Sequence, residues 1–118
     1  MKAVRPAQLA SHLAAFLSLA GREAIAVVRS RDRDDTHSPD VVDFVAMPFS
    51  ALPASIVSKE IPIPILKTYV KDGLIGSGKA GVVLRVTPPR MPPVALLSAA
   101  DHRRLMNTDP GVLQLIKL

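Results

Sequence analysis

A chain of 118 residues is long enough for one packed domain, and an apolar fraction of 48% supplies a core, which argues against global disorder. The absence of cysteine excludes disulfides and thiolate metal sites, and no apolar run approaches the roughly 18 residues of a membrane span. The net charge of +5 is compatible with nucleic acid, but the 15 basic residues are scattered and aromatic residues are only 3% of the chain, so we do not expect a base-stacking surface.

The N-terminal part of the chain predicts a helix followed by a hairpin. Apolar residues recur at helical spacing over residues 6–20, and Pro6 and Gly21 are typical of a helix start and a helix end. His12 lies beside this apolar stripe, where an exposed or hydrogen-bonded imidazole is expected more often than a metal ligand. Strands are then predicted near residues 22–29 and 40–47, joined as a long antiparallel hairpin.

The predicted connection between these two strands, over residues 29–40, is highly charged. Asp32, Asp34, Asp35 and His37 could form a metal cluster, but the segment lacks the glycine and the terminal glutamate of a calcium loop. Charges of both signs are typical of a solvated hairpin tip, and we favour that interpretation.

The middle of the chain predicts irregular structure and one short helix. Residues 48–64 contain four prolines and predict a connection with one helical turn near residues 54–58. A short helix is predicted from Ile65 to Gly73, with a strand as the alternative. Residues 73–80 nearly match a phosphate-binding loop, but Ala80 removes the hydroxyl that would bind magnesium, and a strand follows in place of a helix. We interpret this segment as a flexible glycine turn.

The C-terminal part predicts a buried strand, a proline-rich loop and a helix. Residues 81–87 are β-branched and apolar, and Pro88 ends the strand because proline cannot donate to a sheet. Ser98 and Asp101 have the S-x-x-D spacing of a helix cap, and a helix is predicted over residues 98–107. Residues 112–118 predict a strand or a short helix. The fold class predicted by these elements is α+β.

The order of these elements resembles the JAB/MPN family, the JAMM metalloproteases that cleave isopeptide bonds to ubiquitin-like proteins. The shared features are a helix before a strand that starts at Glu23, a hairpin, and an apolar strand ending before Pro88, followed by S-x-x-D at the start of a helix. The resemblance runs from about Gln8 to Leu118. It implies one MPN/JAB-like domain over residues 1–118, with a curved mixed β-sheet flanked by helices and layered as in cytidine deaminases.

The resemblance also implies roles for individual residues. In the family, two histidines of an H-x-H-P motif and the aspartate of S-x-x-D bind zinc, a glutamate is the general base, and the serine stabilises the oxyanion. By position, Glu23 matches the base, Ser98 the serine and Asp101 the aspartate ligand, whereas Arg85 and Thr87 occupy the histidine positions. A guanidinium would repel the cation, and ten residues separate Thr87 from Ser98, a longer interval than in the family.

The first functional hypothesis is therefore a non-catalytic domain that binds no cofactor and acts as a binding or scaffold module. Its expected partner is another protein, either an active MPN relative or a ubiquitin-like protein, with no membrane involved. In this hypothesis Glu23, Arg85, Thr87, Ser98 and Asp101 converge on a vacant metal site, and Arg85 pairs there with Asp101 or Glu23.

Two alternatives belong to other functional classes. The chain could be an active zinc isopeptidase with altered ligation that recruits His102, His37 or His12. His102 is a poor substitute for a lost ligand, because it points about 100° away from Asp101 around a helix. The chain could also be a small basic accessory protein that contacts nucleic acid, which would show as salt-dependent binding.

Overall fold

The computed structural model describes residues 1–29, 41–72, 83–107 and 112–118. The described strands are β1 (Lys2–Val4), β2 (Ile25–Arg29), β3 (Val41–Pro48), β4 (Ser58–Glu60), β5 (Val83–Val86), β6 (Val94–Leu97) and β7 (Gln114–Leu115). The described helices are α1 (Pro6–Ser11), α2 (Leu13–Ala20), α3 (Ile63–Asp72) and α4 (Ala99–Met106), with a 3-10 turn at Phe49–Ala51. The chain is thus an α+β protein, which confirms the predicted fold class at this level.

The strands form one mixed sheet of seven strands in the described part of the chain, in the order β4-β5-β6-β3-β2-β1-β7. The four central strands β5, β6, β3 and β2 pair with one another in antiparallel fashion. β4, β1 and β7 extend the sheet at its two sides by parallel pairing. The β2–β3 pair, in which Ile25 lies opposite Ala46, confirms the predicted hairpin.

Helices cover both faces of the sheet. On one face, Leu9 of α1, Phe16 of α2 and Leu66 of α3 pack with strand residues such as Phe44 and Leu96 in a single buried cluster. On the other face, Leu105 and Met106 of α4 pack against a cluster of strand residues that includes Val45 and Leu97. Because strand side chains alternate between faces, β3 and β6 contribute to both clusters. No described helix has the length and apolar character needed to cross a membrane.

Several sequence predictions about helices can be compared with this architecture. α3 confirms the helix predicted from Ile65, and α4 confirms the helix predicted after Ser98. The single helix predicted over residues 6–20 is wrong at His12, where backbone angles of φ −130° and ψ 49° separate α1 from α2. Neither proline nor glycine occupies this break, so apolar periodicity had no signal for it.

The strand predictions were less complete. The helical turn expected near residues 54–58 is present only at its start, where the Ile56 amide donates to the Pro53 carbonyl at 3.1 Å. The prediction is wrong at residue 58, which begins β4, because the parallel pairing of β4 with β5 is a long-range contact. The proline-rich loop expected between Thr87 and Ser98 is also wrong in part, since its second half is the fully buried strand β6. The short strand β1 was not predicted. The charged segment 30–40, the glycine-rich segment 73–80 and the turn at residues 109–111 lie outside the described residues.

Candidate functional site

Strand register places the predicted site residues at two ends of the sheet. Val86 pairs with Val94, so Thr87 lies just beyond that pair, whereas Ser98 lies four residues from Val94 in the opposite direction. At a rise of about 3.3 Å per residue, the Cα atoms of Thr87 and Ser98 are about 16 Å apart along the strands. We call the end where Thr87 lies the proximal end and the end where Ser98 lies the distal end.

Glu23 lies at the proximal end. Ile25 pairs with Ala46, and Ala46 pairs with Leu96, so these three residues form one row across the sheet. Glu23 precedes this row by two residues, and Ser98 follows it by two residues on the other side. The separation along the strands is about 13 Å at about 3.3 Å per residue, with the width of β3 in addition. The inserted strand β6 is the physical cause, since it carries the chain from one end of the sheet to the other before the S-x-x-D segment.

The Glu23 carboxylate already has a cationic neighbour. Its Oε1 lies 2.8 Å from the Lys2 Nζ, and the two side chains are 42% and 44% exposed. The same oxygen makes no hydrogen bond of good geometry to the described residues, so we treat the contact as an ion pair. A half-exposed pair of this kind contributes about 1 kcal/mol or less to stability. Glu23 is also in the turn before β2, two residues ahead of Ile25, the first residue of the strand that Glu23 was expected to begin.

Arg85 is held by two groups at the proximal end. Its guanidinium lies 4.9 Å from the centroid of the Phe49 ring, a cation–π distance. Its Nε lies 3.4 Å from Glu60 Oε2, and the Arg85 side chain is 40% exposed. Glu60 is the direct register partner of Arg85 in the parallel β4–β5 pair, so both side chains lie on one face. Arg85 was expected to pair with Asp101 or Glu23, but it pairs with Glu60. Thr87, the other residue at a predicted histidine position, is exposed.

Ser98 and Asp101 form a helix cap at the distal end. The backbone N–H of Asp101 donates to Ser98 Oγ at 3.1 Å, which satisfies one of the free amides in the first turn of α4. Asp101 is only 3% exposed, and its Oδ1 accepts a hydrogen bond from Arg104 at 3.2 Å. A buried carboxylate in the first helical turn is also favoured by the helix dipole. The sequence signal was correct for the cap.

The histidines considered as substitute ligands do not gather around Asp101. His102 is 4% exposed, and its Nδ1 has no hydrogen-bond partner in the described part of the chain. Burial lowers the pKa of His102 below its usual value because a charged imidazole is poorly solvated there. His12 is exposed, and His37 lies outside the described ranges. Among residues 1–29, 41–72, 83–107 and 112–118, no three His, Asp or Glu side chains are grouped so that they could hold a metal ion.

The proximal end also carries a feature that sequence reasoning missed. A proline-framed turn, residues 88–93, projects between β5 and β6, and within it the Met91 amide donates to the Pro88 carbonyl at 3.4 Å. Arg90 has a left-handed φ of 59°, at the turn position where glycine or asparagine is favoured. Such a conformation costs about 1 kcal/mol or more in a residue with a side chain. The P-P-R-M-P-P run predicted a proline-rich loop here, but nothing in it predicted the left-handed conformation of Arg90.

The proximal end also carries an open depression of about 670 Å³ at the starts of β1 and β2. Its lining comes from the chain start, the turn before β2 and the segment that leads into β7, and consists of Met1, Lys2, Glu23, Ala24, Val112, Leu113 and Gln114. The ion pair of Lys2 with Glu23 is part of this lining, so the predicted base faces an apolar-walled depression and not the capped helix.

The predicted site residues therefore form two groups. Glu23, Arg85 and Thr87 are proximal, and Ser98 and Asp101 are distal. Each charged member of either group contacts another charged side chain of the protein. In comparisons with known proteins, no family model, curated protein or solved structure matches this chain.

Proposed function

We propose that the chain is a non-catalytic binding or scaffold module with an MPN/JAB-like order of elements. The observation that carries this proposal is that each charged residue of the predicted site already forms an ion pair with another side chain of the protein. Lys2 contacts Glu23, Glu60 contacts Arg85, and Arg104 contacts Asp101. These side chains serve ion pairs and a helix cap, which is what a folded binding module requires of them.

The separation of the two groups supports the same proposal. A general base acts on a water within about 2.6–3.2 Å, or through one further water, and zinc holds its ligands at about 2.0–2.3 Å. A base at the proximal end and an aspartate at the distal end cannot share one zinc-bound water across about 13 Å of strand. The relation to MPN/JAB proteins is accordingly proposed from the order of elements, not from a retained site.

Metal content tests this proposal. We expect purified protein to carry no stoichiometric zinc after dialysis against zinc, and to leave an isopeptide-linked ubiquitin-like substrate intact. The matched variant is Arg85→His combined with Thr87→His, which places two imidazoles on one face of β5. Because Asp101 is at the other end of the sheet, any zinc taken up by this double variant should be unaffected by adding Asp101→Asn.

Two results would contradict the proposal in different ways. Wild-type protein with one zinc per chain and peptidase activity would establish the altered-ligation hydrolase. A double variant whose zinc is lost on Asp101→Asn would show that the five predicted positions converge after all. Salt-dependent binding of an oligonucleotide by wild-type protein would identify the nucleic-acid alternative.

A further inference from the structure

Two arginines at the proximal end have exposed side chains that make no ion pair or hydrogen bond to the described residues. They are Arg22, in the turn between α2 and β2, and Arg90, in the proline-framed turn. By contrast, Lys2, Arg85 and Arg104 each contact a carboxylate. Exposed cations that form no ion pair within the described part of the protein are available to contact a partner.

The proline-framed turn presents Arg90 on a well-anchored backbone. The turn is closed by the hydrogen bond from the Met91 amide to the Pro88 carbonyl, and its far side is fixed by a bond from the Phe49 amide to the Pro93 carbonyl at 3.1 Å. Arg90 stays in a left-handed conformation that glycine would adopt more readily. Strained conformations of this type cluster at binding sites, where the surrounding structure maintains them.

The turn that carries Arg22 packs against the turn that carries Arg90. A Cβ atom built on Gly21 would lie 3.8 Å from Cδ of Pro92, an ordinary van der Waals distance, so Gly21 lies next to the Pro92 ring. Arg22 follows Gly21 directly, and Arg90 is two residues from Pro92. Because both side chains are long and exposed, their guanidinium groups can both contact a single bound peptide segment.

The depression continues this surface along the chain. Residues 21–24 touch the proline-framed turn at Gly21 and line the depression at Glu23 and Ala24. On the opposite side of the depression, Val112 is 89% exposed. The charge of Glu23 is offset by Lys2, so the depression itself offers apolar contact while positive charge lies beside it.

We propose that a surface formed by the depression at Ala24 and Val112 and by the exposed Arg22 and Arg90 next to it docks an acidic segment of a partner protein. The segment would insert an apolar side chain next to Ala24 and Val112, and its carboxylates would contact Arg22 and Arg90 on the side of residues 21–24. Arginine binds carboxylates through paired hydrogen bonds, and arginines beside apolar pockets are typical of interface hot spots. This inference rests on the proposed function, since it names the partner chemistry of the binding module.

A protein segment suits this surface better than a nucleic acid. Single-stranded nucleic acids are held by aromatic side chains on which bases stack. The exposed residues of the depression are Lys2, Val112 and Gln114, and those of the proline-framed turn are Pro89, Arg90 and Pro92. None of them is aromatic, and the Phe49 ring is in contact with Arg85. Charged phosphates gain no favourable contact from the apolar walls of the depression, whereas the side chain of a leucine or a phenylalanine can be buried there.

The experiment selects random phage-displayed peptides on the immobilised full chain and then measures a synthetic consensus peptide by fluorescence anisotropy. We expect enriched sequences in which Asp or Glu flanks Leu, Ile or Phe. Arg22→Gln and Arg90→Gly should each weaken the consensus peptide by about tenfold or more, as for a charge pair at an interface centre. Lys117→Gln, an equal change of charge at an exposed distal residue, should alter affinity by less than about twofold.

Arg90→Gly remains a clean variant because glycine accepts the left-handed φ of this position. If the urea midpoint of Arg90→Gly is equal to or above that of wild type, its weaker peptide binding is not caused by unfolding. Enriched peptides without acidic residues, a selection that enriches no sequence family, or affinities unchanged in both arginine variants would each overturn the docking surface. Competition by a single-stranded oligonucleotide lost on Arg90→Gly would assign the surface to nucleic acid. A zinc-loaded, active chain would instead refute the proposed function and leave the peptide measurements standing.

Discussion

His102 should make the stability of this protein fall as the pH falls. The imidazole is 4% exposed, its Nδ1 has no partner in the described part of the chain, and burial lowers its pKa from the usual 6.5. The unfolded chain exposes the same imidazole to water. Below the usual pKa, therefore, the unfolded chain binds a proton that the folded chain does not, and protonation favours unfolding.

The sign and the size of the effect follow from this difference. Above about pH 6.5 the imidazole is neutral in both the folded and the unfolded chain and adds no pH dependence. The free energy of unfolding then falls as the pH decreases through that value toward the lowered pKa of the folded state. One proton taken up only on unfolding corresponds to a slope of about 1.4 kcal/mol per pH unit. Since a single group is involved, this slope is the upper limit of the His102 contribution.

The assay is urea unfolding of wild type and His102→Gln from about pH 8 to about pH 5, which brackets the usual histidine pKa. The free energy of unfolding of wild type should decline relative to that of the variant as the pH falls, whatever the offset between them at high pH. His12→Gln, which changes an exposed histidine, should follow wild type at every pH. Parallel curves for wild type and His102→Gln would refute the reasoning, because the buried imidazole would then contribute no proton linkage.

Two further predictions concern stability. Leu96 is fully buried in the central strand β6, so Leu96→Ala should lower the free energy of unfolding by about 2–5 kcal/mol. Leu115 is half-exposed at the edge of the sheet, so Leu115→Ala should change the free energy of unfolding by less than about 0.5 kcal/mol. Similar losses in the two variants would contradict the packing of β6. Ser98→Ala should cost about 1 kcal/mol by removing the cap of α4, and Ser98→Thr, which keeps a hydroxyl, should retain most of it. Denaturant unfolding monitored by circular dichroism checks both, and equal effects of the two Ser98 variants would show that the cap does not stabilise the helix.

Local sequence determined the elements whose signals are contiguous. The S-x-x-D spacing of Ser98 and Asp101 predicted the start of α4, and the structure contains that cap. Apolar runs on either side of a charged segment predicted the antiparallel pair of β2 and β3. Each of these signals lies within a few residues of the feature it specifies, so it could be interpreted without knowing what packs against it.

Tertiary structure alone decided the arrangement of the candidate site. Four apolar residues after two prolines could end a loop or form a strand, and only the pairing of β6 with β3 and β5 made them a strand. That strand carries Ser98 to the distal end while Glu23 and Thr87 stay at the proximal end. The neighbours of Arg85 and of Gly21 were likewise unpredictable, because Glu60 and Pro92 reach them through strand register and turn packing. Contacts between residues distant in sequence depend on which surfaces of the elements pack together, and a local sequence pattern does not specify that packing.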